Sequence, residues 1–362
     1  MVGGVERFIY AIKNALEKKG HKVELLGSYE GENFVSFFSR WYSKKWYKKT
    51  IEKIKEFKPD VVHITHCIRV LSPSVIKASL DSKVPVILNP HDLHYLCPRL
   101  GGIYDKNRPK KYKSRHKCFF QDCLGYEERY KDIPRNIWRI LKLMLHRKII
   151  RGGKIFFVSN SKFLANAMKK SLGVTPQIIP NGIDIPKEKT NYNKTILFVG
   201  QINEEKGLPT IINELNKLEG YERIVLGQGS IKKDLESKYT GVKFLGFQNP
   251  EKYYKNASIV VVPSVWMDTF PYVVLEAMSY GTCVIASDIG GISEQVQHMN
   301  TGLLFSPGNS KDFQKKIRYL IKKPSEIRRM GANARNFVKK NFNWGDIVKK
   351  YEEVYLKAIK NS

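Results

Sequence analysis

The sequence lacks any apolar run approaching the ~20 residues that a membrane-spanning helix requires. Its longest apolar runs, at 155–158 and 259–262, have the length of buried β-strands instead. The first seven residues also lack the charged and then apolar pattern of a secretory signal. We therefore expect a cytoplasmic protein, either free or held at the inner membrane surface.

Cysteine is scarce, with 5 residues in 362. In a cytosolic chain these thiols should be reduced, so disulfide bonds are not expected. Cys97, His116, Cys118 and Cys123 have the number and type of ligands that bind zinc. Their spacing matches no standard zinc finger, which favours unligated thiols. We expect no cofactor and no metal at the functional site.

Acidic residues are also few: 34 Asp and Glu stand against 63 Lys and Arg, for a net charge of +29. Residues 1–186 hold 36 of these cations but only 16 of the acids. Such an excess attracts a polyanion or an anionic membrane, or is simply a solvated basic surface. In the stretch 37–49 aromatic residues alternate with lysines, which suits an interfacial helix or, equally, an amphipathic helix with buried aromatics.

Short β-branched runs alternate with amphipathic stretches along both halves of the chain, with a break near 181–194. We predict strands at 21–26, 60–64, 84–88, 155–158, 195–199, 222–226, 242–245, 258–262 and 283–286. We predict helices at 7–19, 207–218, 272–279 and 344–359. This alternation indicates a parallel sheet in each half.

The segment 263–278, PSVWMDTFPYVVLEAM, carries two carboxylates, Asp268 in a loop and Glu276 in a helix. If Pro271 lies in the first helical turn, the free amides near Tyr272 and Val273 face the crevice where α/β sheets bind ligands. The alternative interpretation is that Asp268 caps the helix and Glu276 is an ordinary solvated helix residue.

A second segment, 197–207, LFVGQINEEKG, predicts a strand, a glycine turn and a lysine at the start of a helix. Lys206 could neutralise charge on a departing diphosphate. The alternative interpretation is an ordinary surface lysine.

Both segments resemble the family-4 retaining glycosyltransferases. The resemblance extends to residues 281–294, 301–305, 180–184, 227–229, 89–92 and 3–6. That resemblance implies the GT-B architecture, an α/β fold of two Rossmann-like doubly wound domains facing a central cleft. We expect an acceptor-side domain at 1–184, a donor-binding domain at 185–343, and a terminal helix at 344–362 that crosses back to the first domain.

The resemblance also implies residue roles. Asp268 and His91 would contact the transferred sugar, Glu276 the donor ribose, and Lys206 the phosphates, with Gln201 where the family has an arginine. Asp268 stands where the family more often has a glutamate. The remaining donor-binding residues would be Gly4, Gly200, Phe270, Pro271, Tyr272 and Val273.

The family normally has a strand before its glycine loop, whereas this sequence starts at the loop. We therefore expect either upstream codons that encode this strand or an unstable first domain.

The function implied is metal-independent transfer, with retained configuration, from a nucleotide-diphosphate sugar to a sugar or lipid-linked acceptor. The setting would be the synthesis of cell-surface polysaccharide, glycolipid or glycoprotein. A nucleotide-sugar epimerase of the same fold is the rival. A nucleic-acid-binding protein is suggested only by charge, and we expect no nucleic-acid partner.

Overall fold

A computed structural model describes residues 3–27, 41–67, 71–96 and 133–361. The chain divides into two compact units. The described residues of the first unit lie within 3–180 and 347–361, and the second unit contains 181–346. The division at Pro180 falls a few residues before the boundary that we predicted at 184.

Within 181–346, which are all described, one parallel sheet has six strands in the order β10-β9-β8-β5-β6-β7. These strands are β5 Asn193–Val199, β6 Glu222–Leu226, β7 Lys243–Gly246, β8 Ala257–Val262, β9 Cys283–Ser287 and β10 Gly302–Phe305. The chain winds outward from β5 through β6 to β7 and then returns to β8 on the other side of β5. The point where the order reverses lies between β5 and β8, where doubly wound sheets bind ligands beyond the carboxyl ends of the strands.

Strand β8 shows why this sheet has helices on both faces. All six of its residues are buried. Ile259 and Val261 join one hydrophobic core, and Val260 and Val262 join a second. Because successive strand residues point to opposite faces, an apolar run without alternation requires cover on both sides. The helices are α6 Leu208–Asn216, α7 Lys232–Lys238, α8 Glu251–Tyr254, α9 Tyr272–Ser279, α10 Ile292–Gln295, α11 Ser310–Lys322 and α12 Pro324–Asn341.

The described part of the first unit contains a parallel sheet in the order β1-β2-β3-β4. Its strands are β1 Val62–Ile64, β2 Val86–Leu88, β3 Ile155–Ser159 and β4 Gln177–Ile178. Its helices are α1 Gly4–Glu17, α2 Lys44–Phe57, α3 Ser74–Asp81, α4 Ile133–Arg151, α5 Lys162–Leu172 and most of α13, Trp344–Lys360.

One predicted strand is wrong: residues 21–26 form no strand. The amide of His21 is used to end α1, donating to the carbonyl of Leu16 at 3.2 Å. A β-pattern yields a strand only where a neighbouring strand pairs with it, and the described residues supply none to this segment. The predictions at 60–64, 84–88 and 155–158 are confirmed with shifted ends, as are the strands predicted in the second unit.

Helix α2 contains residues 44–49 of the aromatic and lysine-rich stretch, and its two rings from that stretch are packed or bonded within the first unit. Trp46 is buried, and the Tyr47 hydroxyl donates to Asp81 Oδ2 on α3 at 2.8 Å. For Trp46 the structure supports the buried amphipathic helix over the interfacial one, whereas Tyr47 is only partly buried. Phe37 and Phe38 lie outside the described residues.

Helix α13 starts in the second unit, and its residues from Ile347 onward belong to the first. The Tyr351 hydroxyl on this helix accepts a hydrogen bond from Asn89 Nδ2 at 2.8 Å. The Tyr355 hydroxyl shares a hydrogen bond with His63 Nδ1, also at 2.8 Å. Among the described helices, none combines the length and apolarity needed to cross a bilayer.

Candidate functional site

The strongest candidate site lies in the second unit, where loops leave the carboxyl ends of β5 and β8. After β5 the chain passes Gly200 and Gln201 and makes a short 3-10 turn, Glu204–Lys206. The side chain of Asn203 caps this turn by accepting from the amide of Lys206 at 3.0 Å. The second loop, 263–271, follows β8 and leads into α9. Both loops therefore begin at the switch point of the sheet.

Backbone contacts hold these two loops together. The amides of Val265 and Trp266 donate to the carbonyl of Glu205 at 3.0 and 3.2 Å. Gly207 has a φ of +71°, and a Cβ at this position would lie 1.9 Å from the carbonyl oxygen of Pro263. Only glycine permits both the left-handed backbone and the close approach. The sequence thus fixes the position of Lys206 against the loop that carries Asp268.

Lys206 and Asp268 form an ion pair, with Lys206 Nζ 2.7 Å from Asp268 Oδ1. The other carboxylate oxygen, Oδ2, accepts from Ser264 Oγ at 2.9 Å. Ser264 is buried, whereas Lys206 and Asp268 are partly exposed. A pair this accessible contributes about 0–1 kcal/mol to stability. An anion that enters the loop can therefore compete with Asp268 for the ammonium group.

The second predicted carboxylate, Glu276, lies one helical turn into α9 and is half-buried. The Tyr254 hydroxyl donates to Glu276 Oε2 at 2.9 Å. Tyr254 is fully buried at the end of α8, and its ring stacks on that of Tyr280 with centroids 5.8 Å apart. A hydrogen bond from a fixed phenol restricts the orientation of the carboxylate.

Helix α9 starts where we predicted, with Pro271 directly before it rather than inside its first turn. The side chains of Phe270 and Tyr272 are buried, and Phe270 packs on Phe342 in the core. Pro271 and Val273 are half-buried. A ligand at this segment would consequently meet main-chain groups rather than the two aromatic rings.

The same loop is fixed from its other side by Gly291. Its amide donates to the carbonyl of Asp268 at 2.8 Å. A Cβ on Gly291 would lie only 1.6 Å from the carbonyl oxygen of Thr269. The predicted motif 281–294 is therefore structural support for the loop of Asp268.

In the first unit, His91 follows β2 and its ring is buried against Phe8, with centroids 4.2 Å apart. Burial, and secondarily the charge of His63, lower the pKa of His91 to about 3. Burial likewise lowers the pKa of His63 to about 4. Both imidazoles are thus neutral at physiological pH, and His91 can offer a hydrogen bond but not a net charge.

Asp92, the neighbour of His91, lies close to two other histidines. Its Oδ2 lies 2.8 Å from His94 Nδ1 and 3.3 Å from His66 Nδ1. Its Oδ1 accepts from the amide of His94 at 2.9 Å. Burial opposes ionisation of this carboxyl group, but the hydrogen bonds from His66 and His94 outweigh it and hold the pKa of Asp92 well below its ordinary value. Asp92, although adjacent to His91 in sequence, therefore faces His66 and His94 instead.

The other predicted residues are spread more widely. Gly4 is the first residue of α1 and is exposed, and Gln201 lies exposed on the turn that leads to Lys206. Cys97, His116, Cys118 and Cys123 lie outside the described residues. Within the described ranges, no group of three or more His, Cys, Asp or Glu residues is arranged to hold a metal ion.

Sequence reasoning missed Ser264 and Tyr254, the two partners of the carboxylates. Ser264 lies within the segment that we singled out, where a hydroxyl four residues before an acid was the available signal. Tyr254 precedes Glu276 by a strand and a loop, and only the packing of α8 against β8 brings the phenol to it.

Comparison with known proteins assigns the chain to a family. Residues 2–187 match the family described as Glycosyltransferase Family 4, and residues 183–337 match the family described as Glycosyl transferases group 1. The fold and the paired loops at the switch point thus belong to a GT-B glycosyltransferase family. The chain is a member of glycosyltransferase family 4.

Individual relatives are more distant. An uncharacterized glycosyltransferase of Methanocaldococcus jannaschii is 32% identical over 178 residues, which are 46% of this chain and 45% of that protein. The chain spans about half the length of the curated relatives that it matches first.

Solved structures share the fold across almost the whole chain. Sucrose-phosphate synthase from Thermosynechococcus elongatus has a TM-score of 0.74 at 17% identity and covers 99% of this chain and 94% of its own. Anabaena HepE in complex with UDP-glucose has a TM-score of 0.70 at 17% identity and covers 99% and 97%. At this identity the likeness establishes the fold.

Proposed function

We propose that the protein is a retaining glycosyltransferase that moves a sugar from a nucleotide-diphosphate donor to the hydroxyl of a sugar or lipid-linked acceptor. One observation carries this proposal: Lys206 and Asp268 are paired at 2.7 Å on loops from β5 and β8, at the switch point of a doubly wound sheet. Family membership and the UDP-glucose complex of Anabaena HepE support a nucleotide-sugar donor.

In this proposal, Lys206, Asp268 and Glu276 each have a separate role. Lys206 leaves Asp268 and neutralises the charge that develops on the diphosphate as the bond from the anomeric carbon to the phosphate oxygen breaks. Asp268, held through its other oxygen by Ser264, then accepts hydrogen bonds from sugar hydroxyls. Glu276, oriented by Tyr254, accepts hydrogen bonds from the ribose. Lys206 and main-chain amides supply the positive charge, so the reaction requires no divalent cation.

The acceptor hydroxyl forms the new bond to the anomeric carbon on the face from which the diphosphate leaves, and its proton passes to a diphosphate oxygen. We assign no protein base. His91, neutral because of its lowered pKa, contributes a hydrogen bond to the transferred sugar. Cell-surface polysaccharide, glycolipid or glycoprotein is the product class, made on the cytoplasmic side of the membrane.

The test is nucleoside diphosphate release from UDP-, GDP- and ADP-sugars, with and without a panel of acceptors, followed by NMR of the product. The proposal predicts release that depends on an acceptor, persists in EDTA and gives the donor's anomeric configuration. An epimerase would change the sugar of the donor with no acceptor present. Inverted product, or turnover that EDTA abolishes, would refute the corresponding part of the proposal.

Two variants examine the site itself. Lys206→Ala and Glu276→Ala should each lower turnover at least ~100-fold, the order that loss of one stabilising group at a reacting centre causes. Lys206 is partly exposed, so Lys206→Ala should melt close to the wild-type temperature. Glu276→Ala should remain folded but melt somewhat lower, because it removes the acceptor of the buried Tyr254 hydroxyl. Near wild-type turnover in either variant would remove that residue from the mechanism.

A further inference from the structure

Helix α4 presents a stripe of apolar side chains to solvent. Ile137, Leu141 and Met144 are 45%, 47% and 60% exposed. Their spacing of four and then three residues places them along one face of the helix. The opposite face packs into the first unit through Leu143 and Ile150, which are buried. The exposed stripe is therefore a second apolar face and not the one that builds the core.

The charges on α4 have a single sign. Its sequence, IPRNIWRILKLMLHRKIIR, contains arginines and lysines but no aspartate or glutamate. The apolar stripe continues at the same helical spacing into Lys148 and Arg151, which are both exposed. An apolar face that ends in cations is the pattern of helices that lie in the surface of an anionic membrane.

The helix is anchored on its other side. Arg147 donates to the carbonyl of Leu96 at 2.9 Å and to Ser171 Oγ at 2.5 Å. These bonds tie α4 to the segment after β2 and to the end of α5. The stripe is consequently held in place on a folded unit and requires no refolding to meet a flat surface.

Helix α13 provides an informative contrast. Leu356 and Ile359 are 58% and 41% exposed, so this helix also shows apolar side chains to solvent. It carries Glu352 and Glu353 within a turn of them, as well as Lys357 and Lys360 in its last turn. Glu352 pairs with His21 at 2.9 Å. Anionic lipid would repel these carboxylates. Helix α4 has cations and no carboxylate, whereas the exposed apolar side chains of α13 have both signs of charge beside them, so α4 is the better match to an anionic surface.

We propose that the face of α4 formed by Ile137, Leu141, Met144, Lys148 and Arg151 docks the protein on a bilayer that contains anionic lipid. The three apolar side chains enter the boundary between headgroups and acyl chains, and the two cations contact the headgroups. The ring of Trp46 on α2 is buried and takes no part in this docking surface. It does not depend on the catalytic proposal, so the two can fail separately.

The test is flotation of the full chain with phosphatidylcholine vesicles and with vesicles that contain about 30 mol% phosphatidylglycerol, a charge density at which each well-placed cation strengthens binding roughly fivefold. Wild-type protein should float with the anionic vesicles, less so as salt rises, and not with neutral vesicles. Equal recovery with both vesicle types would overturn the proposal.

The matched variants are Ile137→Ser/Leu141→Ser/Met144→Ser on α4 and Leu356→Ser/Ile359→Ser on α13. The α4 variant should lose at least ~tenfold in partition coefficient, since it removes the apolar contacts, and the α13 variant should bind like wild type. Lys148→Gln/Arg151→Gln should bind more weakly, with a reduced salt dependence. If the triple variant fails to fold, Met144→Ser alone should show a smaller loss.

Light scattering tests whether a second copy of the chain, and not a membrane, covers this face. A wild-type dimer that the α4 variant converts to monomer, without vesicle binding by either, would assign the stripe to a second copy of the chain and refute the proposal. Turnover with a soluble acceptor should be unchanged in the α4 variant. Loss of turnover together with retained flotation would contradict the assignment of α4 to docking alone.

Discussion

Removal of one hydroxyl, in Tyr254→Phe, tests whether the orientation of Glu276 matters for donor binding. The phenol is fully buried and donates to Glu276 Oε2 at 2.9 Å. Hydrogen bonds to charged groups contribute about 1.5–3 kcal/mol. If about half of this is lost from the bound state, the affinity for a nucleoside diphosphate should fall roughly three- to tenfold.

Calorimetric titration of the nucleoside diphosphate measures this loss, and a 2′,3′-dideoxy analogue locates it. If Glu276 binds the ribose hydroxyls, Tyr254→Phe should weaken binding of the ribose form and leave the weaker binding of the dideoxy form unchanged. Tyr280→Phe is the matched control, because its ring stacks on Tyr254 and its hydroxyl has no hydrogen-bond partner in the described part of the chain. The control should bind like wild type.

Three outcomes would refute this reasoning. Unchanged affinity in Tyr254→Phe would mean that the carboxylate needs no orienting bond. An equal loss with the dideoxy analogue would mean that Glu276 does not contact the ribose. An equal loss in Tyr280→Phe would show that packing, not the hydrogen bond, is responsible.

Further predictions concern the loop of Asp268 and the histidines of the first unit. Ser264→Ala should lower kcat/KM about tenfold by freeing one oxygen of Asp268, and kinetics equal to wild type would contradict the role of Ser264. Gly291→Ala should destabilise the protein by about 1–3 kcal/mol or more, because its Cβ would overlap the carbonyl of Thr269; an unchanged melting temperature would count against this. Folding lowers the pKa of His63 to about 4 and of His91 to about 3, so their neutral forms stabilise the fold fully above the unfolded pKa of about 6.5. Stability should therefore fall as pH drops from about 6.5 through 4, as melts at graded pH would show, and His63→Phe should flatten this decline.

The second unit could be predicted almost completely from sequence. Strands such as 195–199 and 258–262 are largely apolar runs of the right length, and a parallel sheet buried on both faces requires such runs. Lys206, Asp268 and Glu276 lie in segments that combine a strand end, a glycine or proline, and a charged residue, but their roles were implied by the resemblance to the family and not by this pattern alone.

The first unit could be predicted less well, since its features depend on pairing and packing. Residues 21–26 have a β-pattern but no partner strand among the described residues. The rings of Trp46 and Tyr47 suit a membrane surface or a core equally in sequence, and only contacts such as that with Asp81 decide between them. The pairing of Asp92 with His66 and His94 joins the ends of two strands, and periodicity cannot show it.

The central claim is that Lys206 and Glu276 bind the nucleotide-diphosphate part of a sugar donor. Calorimetric titration of UDP, GDP and ADP into wild-type protein, Lys206→Ala and Glu276→Ala tests it most directly. One nucleoside diphosphate should bind wild-type protein at a single site, and each variant should bind it at least ~tenfold more weakly, as loss of a charged contact implies. Equal binding by all three proteins, or no binding of any diphosphate to the wild type, would contradict the account.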